Sequence, residues 1–208
     1  MKIDCISDTH CQIDLTTLEY SDAEILIIAG DIGNMSTPLE VKVVFEEVDS
    51  LPHKHIVFVP GNHDAYFDIW YVPFETRAHL LINDIVEIDG IRIGGSPYTP
   101  EFCGWFFMRP DEELAEIWNI FKDQNLDILV THGPPKDILD SYVQWDDEVK
   151  CGSQTLLDAL PKIAPKAHIF GHIHECHGHK KQDGIDFYNV AICDRVYEAI
   201  NPVTTIEI

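Results

Sequence analysis

Seven side chains that can bind a metal ion occur in five short segments spread along the sequence. They are two aspartates, one asparagine and four histidines: Asp8, Asp31, Asn62, His10, His132, His172 and His174. Imidazole nitrogens and hard oxygen donors without cysteine suit Mn, Fe, Zn, Co or Ni better than Cu(I) or an iron–sulfur cluster. Such a set is too large for one tetrahedral ion. It therefore predicts two metal ions that share a bridging carboxylate.

The segments in front of these side chains are typical of β-strands. Residues 2–6 alternate between polar and apolar, residues 25–29 and 56–59 are short apolar runs, and the mostly apolar residues 127–130 and 167–170 are also predicted to be strands. A metal-binding side chain follows each segment within a few residues. Because ligands in α/β folds gather at the carboxyl ends of strands, we expect these distant positions to meet in one cleft. Glycines in the same turns would let the backbone approach closely.

Three further segments predict helices with one apolar face. The first is capped by Ser36 and has Leu39, Val43, Val44 and Val48 on its apolar face. The second begins near Pro110 and has Leu114, Ile117, Trp118 and Phe121 on that face. The third is capped by Ser153 and has Leu156, Leu157 and Leu160 on that face. Strands that alternate with helices early in the chain favour an α/β fold.

The middle and the end of the chain indicate additional strands. Asp89-Gly90, between residues 85–88 and 91–93, predicts a hairpin. Two last strands are predicted near residues 185–190 and 203–207. The combination of helices, strands and hairpins indicates a mixed or doubled sheet.

The composition limits the classes of partner. The chain has 14 Lys and Arg against 36 Asp and Glu, a formal net charge of −22. Such a surface repels polyanions, which argues against long nucleic acids and anionic membranes as partners. We find no signal-peptide core, no membrane span and no CxxC pair, so free thiols and a cytoplasmic location are expected. Without a repeat or linker, residues 1–208 are predicted to form one domain.

The turns together form a pattern that is known from one enzyme family. In chain order they are Asp8-Thr9-His10, Gly30-Asp31, Gly61-Asn62-His63-Asp64, His132 and Gly171-His172-Ile173-His174. This series resembles the motifs of the calcineurin-like metallophosphoesterases, with no motif position missing. The resemblance implies a four-layer α-β-β-α sandwich of two mixed sheets flanked by helices. Thr131–Pro135 and Gly171–Glu175 look most like the MPPED-type subgroup, which is similar to class III cyclic-nucleotide phosphodiesterases.

The resemblance also implies a role for each site residue. Asp8, His10, Asp31 and His174 would hold one ion, and Asp31, Asn62, His132 and His172 would hold the other. Asp31 would bridge the two ions. His63 would be a catalytic acid that binds no metal, and Asp64 would orient it. The expected cofactors are two divalent or trivalent ions among Mn, Fe, Zn, Co and Ni, with Mn favoured for activity in vitro.

These roles predict a hydrolase that acts on phosphoric esters. Two cations acidify a bridging water, and the resulting hydroxide attacks phosphorus in line with the leaving group. His63 protonates the leaving oxygen. The expected substrate is a small phosphodiester, a cyclic nucleotide in particular. The serine/threonine protein phosphatases of the superfamily carry an Arg after Gly-Asp, whereas here Gly30-Asp31 runs into Ile32-Gly33-Asn34-Met35. The turns with metal donors contain no Lys or Arg, which favours diesters over monoesters.

Alternatives to this interpretation stay open at the level of the sequence. One is a phosphomonoesterase or a small-oligonucleotide nuclease of the same fold, and another is a binding or scaffold protein that has lost catalysis. Two long loops are predicted, at residues 96–109 and at about 136–151. The aromatic residues of the first are Tyr98, Phe102, Trp105, Phe106 and Phe107. They could pack on the fold or on a second copy in a homodimer, or could form a wall for a nucleobase.

Three residues outside the motifs are further candidates for positions near the site. His177 and His179 are predicted to be loop histidines at the rim of the site rather than ligands of a third metal. Arg195 is one of few cations and could contact substrate, although it is not ranked as a site residue.

Overall fold

Two mixed β-sheets, packed face to face, form the middle of the fold. The computed structural model describes residues 1–34, 37–69, 75–145 and 147–208. In chain order the strands are β1 (Lys2–Ile6), β2 (Ile25–Ile28), β3 (His55–Phe58), β4 (His79–Leu80), β5 (Asp84–Ile88), β6 (Ile91–Ser96), β7 (Thr99–Pro100), β8 (Met108–Arg109), β9 (Ile128–Thr131), β10 (Ser141–Gln144), β11 (Asp147–Lys150), β12 (Ala167–Phe170), β13 (Gly178–Gln182), β14 (Ile185–Asn189) and β15 (Thr204–Glu207). The α-helices are α1 (Pro38–Ser50), α2 (Ala65–Ile69), α3 (Asp111–Trp118) and α4 (Gln154–Ile163). Short 3-10 helices cover Leu15–Thr17, Asn119–Phe121 and His174–Cys176.

Each sheet combines parallel and antiparallel neighbours. Within the described ranges, the first sheet has the strand order β15-β1-β2-β3-β4 and the second has β13-β14-β12-β9-β6-β5. The edge strands β15, β13 and β5 run antiparallel to their neighbours. By contrast, β1, β2 and β3 pair in parallel, as do β9 and β12. Parallel neighbours end at the same edge of a sheet, so the turns after these strands come together.

Side-chain alternation in the strands divides the interior into three apolar clusters. In β2, Ile25 and Ile27 belong to the cluster between the two sheets. Leu26 belongs to a second cluster, which contains the buried face of α1. On the other sheet, Val130 joins the central cluster, whereas Leu129 packs in the third cluster with residues of α3 and α4. The layers are therefore helix, sheet, sheet and helix, and the predicted four-layer α/β sandwich is confirmed.

Helix α1 differs from the prediction in its cap and its buried face. The N-cap is Thr37, whose side chain accepts a backbone N–H of the first turn, and the predicted cap Ser36 lies outside the described residues. Leu39 and Val43 are 72% and 48% exposed, so their assignment to the apolar face is wrong. The buried residues are Val41, Val44, Phe45 and Val48. Their spacing of i, i+3, i+4 and i+7 is that of a complete helical stripe.

The other predicted helices and the hairpin are confirmed. Helix α3 begins directly after Pro110, with Leu114 and Trp118 buried and Ile117 partly buried. The Oγ of Ser153 accepts the N–H of Leu156 and caps α4. Strands β5 and β6 form the hairpin, with the connecting Asp89 and Gly90 at φ values of 50° and 85°. Two positive φ angles in succession are what the predicted Asp-Gly turn requires.

Strands occur in both segments that the sequence predicts as loops. Strands β7 and β8 pair within residues 96–109, and β10 and β11 form a hairpin within residues 136–151. Strand β13 is not predicted either, because its sequence is polar and it pairs at the edge of the second sheet. The assignment of His179 to a loop is wrong, since it lies in β13 and its ring stacks on Tyr188 with centroids 4.5 Å apart.

The sequence predicts no membrane-spanning segment and no disulfide. Among the described residues, none of the helices combines the length and the apolar character needed to cross a bilayer. All six cysteines are free thiols, as predicted.

Candidate metal centre

The turns after β1, β2, β3, β9 and β12 bring all seven predicted donors into one place. Two separate triads can each hold an ion, Asp8 with His10 and His174, and Asp31 with His132 and His172. A further triad joins His10, Asp31 and His63. In each triad the candidate ligand atoms lie within 4.8 Å of one another. Asn62 joins the second group through its Oδ1, which is 2.9 Å from the Nε2 of His132.

The first triad gathers two imidazole nitrogens around one carboxylate. The Nε2 atoms of His10 and His174 face each other at 3.2 Å. The Oδ1 of Asp8 lies 3.4 Å from the Nε2 of His174 and 3.9 Å from that of His10. Two facing imidazole lone pairs repel unless a proton or a cation lies between them, so this donor set fits a metal ion.

Asp31 lies between the two triads. Its Oδ2 is 3.3 Å from the Nε2 of His132 and 3.8 Å from the Nε2 of His10. Its Oδ1 accepts the backbone N–H of His63 at 2.7 Å. One carboxylate oxygen is thus within reach of a histidine from each triad, which is the arrangement a bridging ligand needs.

The backbone of the donor turns is held in an unusual conformation. Asp8, His10, Asp31 and His172 have positive φ angles of 54°, 48°, 51° and 70°. Left-handed conformations cost non-glycine residues on the order of 1 kcal/mol each. Backbone hydrogen bonds between the turns offset this cost, because the Asp8 N–H donates to Gly30 and the His10 N–H donates to Asp31. The strain is concentrated where the side chains converge, as is common at functional sites.

Two turn glycines are required because the donors leave no space for a side chain. A Cβ on Gly171 would lie 2.1 Å from the Oδ2 of Asp8. A Cβ on Gly61 would lie 2.2 Å from the Oδ1 of Asp31. Both distances are far below van der Waals contact. The prediction that these glycines allow close approach of the backbone therefore has a direct steric cause.

Backbone carbonyls orient three of the histidines. The Nδ1–H of His132 donates to the Ala29 carbonyl at 3.0 Å, and the Nδ1–H of His174 donates to the Asp194 carbonyl at 2.8 Å. A carbonyl only accepts, so each Nδ1 carries a proton and each Nε2 lone pair can point into the site. The Nδ1 of His63 lies 2.9 Å from the Asn34 carbonyl in the same way. The sequence gives no signal for Asn34 or Asp194, because a carbonyl is present in every residue.

The buried charges shift the pKa values in opposite directions. Burial disfavours the ionised Asp8, but its hydrogen bond with His174 and the nearby imidazole charges outweigh burial and lower its pKa to about 2. The pKa of Asp31 is also lowered, because His132 outweighs burial. Burial likewise opposes protonation of His132 and His174, yet the neighbouring carboxylates raise both pKa values to about 9. A negative field that retains protons so strongly would also favour a bound cation.

Asp64 contacts the backbone of the donor turns. Its Oδ2 accepts the backbone N–H groups of Asp31 and Gly61, each at 2.8 Å, and its Oδ1 accepts that of Gly33 at 2.9 Å. Asp64 therefore joins two of the donor turns, while the Asn34 carbonyl contacts the His63 ring. Burial and the charge of Asp31 raise the pKa of Asp64 to about 7.

The aromatic loop at residues 96–109 mainly packs on the fold and on His63. Phe107 is buried, and Tyr98 contacts it edge to face. The Trp105 ring stacks on the His63 ring, with centroids 4.3 Å apart and planes inclined by 29°. Phe102 is 49% exposed and faces a cleft. The packing interpretation thus accounts for Phe107 and Tyr98, while Phe102 lies in the wall of the cleft.

This side cleft, with a volume of about 560 Å³, opens directly beside the first triad. Its wall includes His172, His174, Phe102, Tyr142, Arg195 and Tyr197. Tyr197 has a φ of 64°, and its ring packs edge to face against both His10 and His174, with centroids 4.8 and 5.5 Å apart. Tyr197 has no signal in the sequence, because it lies more than twenty residues after the last donor motif.

Comparisons with known proteins agree with the fold and with the family whose motifs the sequence resembles. The human metallophosphoesterase domain-containing protein 1 is 34% identical over 231 residues, which cover 98% of this chain and 70% of that protein. A UPF0046 protein of Caenorhabditis elegans is 34% identical over 212 residues, which cover 94% of this chain and 71% of that protein. One solved structure aligns with a TM-score of 0.65 at 18% identity, covering 90% of this chain and 89% of its own, which supports the fold alone.

The family assignment follows from a match over most of the chain. A family model described as calcineurin-like phosphoesterase matches residues 1–176. This match supports a hydrolase of phosphoric esters that uses divalent metal ions. The chain belongs to the calcineurin-like phosphoesterase family.

Proposed function

We propose that this protein is a binuclear metal-dependent phosphodiesterase that hydrolyses a small phosphodiester, with cyclic nucleotides as the substrate class. The observation that supports it best is the position of Asp31, which has one oxygen within reach of histidines from both triads. A mononuclear site would not need that arrangement. We propose the ligand sets that the family resemblance implies: Asp8, His10, Asp31 and His174 for one ion, and Asp31, Asn62, His132 and His172 for the other.

The residues of the chain prepare the site for this chemistry. When bound, two ions of the Mn, Fe, Zn, Co or Ni type would acidify water and neutralise charge on the phosphoryl oxygens, with Mn the first choice for assays. Asp64 holds two donor turns together through backbone N–H groups. His63 is our candidate acid. Its Nδ1–H donates to the Asn34 carbonyl, so Nε2 is the nitrogen that takes up a second proton and, from the imidazolium form, gives it to the leaving oxygen.

The preference for diesters rests on the charges around the donors. The turns that carry the donors contain no Lys or Arg, and a monoester dianion usually needs such groups for its second charge. The side cleft, however, includes Lys150 and Arg195 in its wall. This observation favours the phosphomonoesterase as the second candidate. A cytoplasmic location and a homodimer stay predictions from the sequence.

The binuclear centre is tested by metal analysis of Asp31→Asn. We expect the wild type to bind two Mn²⁺ ions and the variant to bind both more weakly, with kcat/KM reduced roughly 100-fold. The matched control is Asp123→Asn, which removes an exposed carboxylate from the turn between α3 and β9. This variant should bind two ions. Two tightly held ions in Asp31→Asn would reject the bridging role.

The substrate class is tested with two esters that share one leaving group. We expect kcat/KM for bis(4-nitrophenyl) phosphate to exceed that for 4-nitrophenyl phosphate in the presence of Mn²⁺. A monoester preference of about tenfold or more would replace the proposal by the phosphatase alternative.

A further inference from the structure

The side cleft carries a feature that the proposed phosphodiester chemistry does not use, the guanidinium of Arg195. Both Arg195 and His174 belong to the wall of this cleft. The rest of the wall includes the aromatic side chains of Phe102, Tyr142 and Tyr197 and the charged residues Lys150, Glu101 and Glu175. Lys150 is already paired with Asp137. A cleft of about 560 Å³ is much larger than one phosphate group and falls in the size range of small-ligand sites. It can therefore hold the organic part of a substrate.

The turn that carries Arg195 is fixed relative to the metal donors. The Asp194 carbonyl accepts the Nδ1–H of His174 at 2.8 Å and the N–H of Tyr197 at 3.0 Å. The Asp194 carboxylate accepts the N–H groups of Val196 and Glu198, each at 2.9 Å. One aspartate thus holds the turn closed and attaches it to a metal donor. Arg195 projects from a backbone whose position is set by the same contacts that orient His174.

Arg195 also differs from the other arginines in its partners. Arg77 donates to the carbonyls of Asp49, Leu51 and His53. Arg92 pairs with Glu87, and Arg109 donates to a carbonyl and lies over the Tyr98 ring. Within the part of the chain that the structure describes, the exposed Arg195 has no ion pair or hydrogen bond of its guanidinium. In a chain with a net charge of −22, carboxylates to pair with are abundant, so this guanidinium is available to a ligand.

We propose that Arg195 forms an anion subsite, which binds a second phosphate or carboxylate on the alcohol part of the substrate. This inference rests on the proposed phosphodiesterase function. The phosphate of a diester has one negative charge and two free oxygens, which the two ions would engage. An arginine in the adjoining cleft is then matched by a further anionic group, which its planar fork binds in bidentate fashion. The preferred substrate class is a small phosphodiester, nucleotide-like in size, with an additional anionic group.

The subsite can be tested by binding, without turnover. Thymidine 5′-monophosphate and thymidine 3′,5′-bisphosphate differ by one phosphate, and calorimetry with the Mn²⁺-loaded protein gives the ratio of their dissociation constants. We expect the wild type to bind the bisphosphate about tenfold more tightly and Arg195→Gln to lose most of that preference. Arg195→Lys should retain part of it. Lys42→Gln, which removes one charge from an exposed position of α1, should leave the ratio unchanged.

Each outcome decides the proposal. A ratio that is equal in the wild type and in Arg195→Gln overturns the subsite, as does an equal loss of affinity for both ligands, which would place Arg195 at the reacting phosphate. Hydrolysis of bis(4-nitrophenyl) phosphate is measured on the same preparations, and the control Lys42→Gln should stay within about twofold of the wild type. If no variant or wild type hydrolyses a diester while the binding ratio behaves as expected, the proposed function fails and the subsite stands.

Discussion

His63 is the residue whose surroundings most directly suggest a catalytic step. Its backbone N–H donates to Asp31, its Nδ1 contacts the Asn34 carbonyl, and its ring stacks on Trp105. These contacts hold the ring next to the donors while the Nδ1 atom is already engaged. The Nε2 atom is therefore the position from which a proton could reach a leaving oxygen.

The acid role of His63 predicts a dependence on the leaving group. His63→Ala should lower kcat about 100-fold or more for a diester with a ribose leaving group, which departs as a basic alkoxide. The loss should be below about tenfold for a nitrophenolate leaving group, which needs no proton. Steady-state kinetics on both substrates give the two ratios.

The exposed His79 in β4 supplies the control for this comparison. His79→Ala should change neither rate. Equal losses on both substrates, or loss of bound Mn²⁺ in His63→Ala, would show that His63 supports the metal site instead.

At the scale of residues, the donors could be predicted and their supports could not. Asp8, His132 and His174 are recognisable because carboxylates and imidazoles directly after buried strands have few structural uses. The Asp194 carbonyl that orients His174 has no such signature. The contact of Tyr197 with the donor histidines could not be predicted from the sequence either, since a tyrosine in a polar turn more often has only a packing role.

Among the elements, the loop at residues 96–109 is predicted to position the acid. Replacing Trp105 by Leu removes the stacked ring and should lower kcat about tenfold for the ribose-leaving diester, because the His63 ring gains freedom to rotate. The nitrophenolate ester should be less affected, and Mn²⁺ content should not change. Trp105→Phe preserves a stacking ring and should restore most of the rate.

Trp145 provides a matched tryptophan outside the site. It is 90% exposed at the tip of the β10–β11 hairpin. Trp145→Leu should leave both rates within about twofold of the wild type. An equal effect of the two tryptophan substitutions would argue against a specific contact between Trp105 and His63.

Strand β12 contributes a histidine that makes stability depend on pH. The Oγ1 of Thr131 donates to the Gly133 carbonyl at 2.6 Å, so it accepts the Nε2–H of His168 at 2.8 Å. The buried Nδ1 has no partner among the described residues. Burial lowers the pKa of His168 from 6.5 to about 3. Below pH 6.5, His168 therefore binds a proton in the unfolded chain but not in the folded chain. The free energy of unfolding falls as the pH decreases toward 3.

Urea unfolding at pH 7.5 and pH 5.5 measures this effect. The free energy of unfolding of the wild type should fall by about 1.4 kcal/mol more than that of His168→Gln, which corresponds to one pH unit below the unfolded pKa. Comparing the two proteins cancels the contributions of the other histidines. Parallel pH profiles would show that His168 binds a proton in the folded state as readily as in the unfolded chain, and would contradict the lowered pKa.

Element prediction succeeds where apolar periodicity is strong and fails at the surface. The apolar run of β2 is buried on both faces, so its pattern has a single interpretation. Helix α1 has apolar residues on two faces, and only packing on β2 and β3 selects Val41 and Phe45 over Leu39 and Val43. The hairpin formed by β10 and β11 buries little, so no periodicity marks it.

For the whole molecule, the cluster between the sheets couples the two halves of the chain. Ile27 and Val57 from the first sheet pack there with Ile128 and Ile169 from the second. Strand β15 returns to pair with β1, which links the last predicted strand to the first. These contacts support the proposal that residues 1–208 form one domain.

A single domain should unfold in one cooperative transition. Urea curves followed by far-UV circular dichroism and by tryptophan fluorescence should coincide. Ile128→Ala, at a fully buried position, should shift both curves together and lower the free energy of unfolding by about 2–5 kcal/mol. Two separate midpoints, with only one of them shifted, would indicate two units.

The placement of the side cleft bears on how such an enzyme can change its substrate over evolution. The donors follow strands of the core, where one added methyl group on Gly171 would collide with Asp8. Apart from the donor segment His172–Glu175, the cleft wall comes from a loop, a hairpin and a turn at the surface, and Arg195 and Tyr197 lie beyond the residues matched by the family model. A substitution at Arg195 therefore changes the side chain that the cleft offers to a ligand, whereas the Asp194 carbonyl of the same turn has to stay in place because it orients His174. If the proposed anion subsite is real, transplanting the turn around Arg195 into a relative should transfer the preference for a second anionic group while all strands stay as they are.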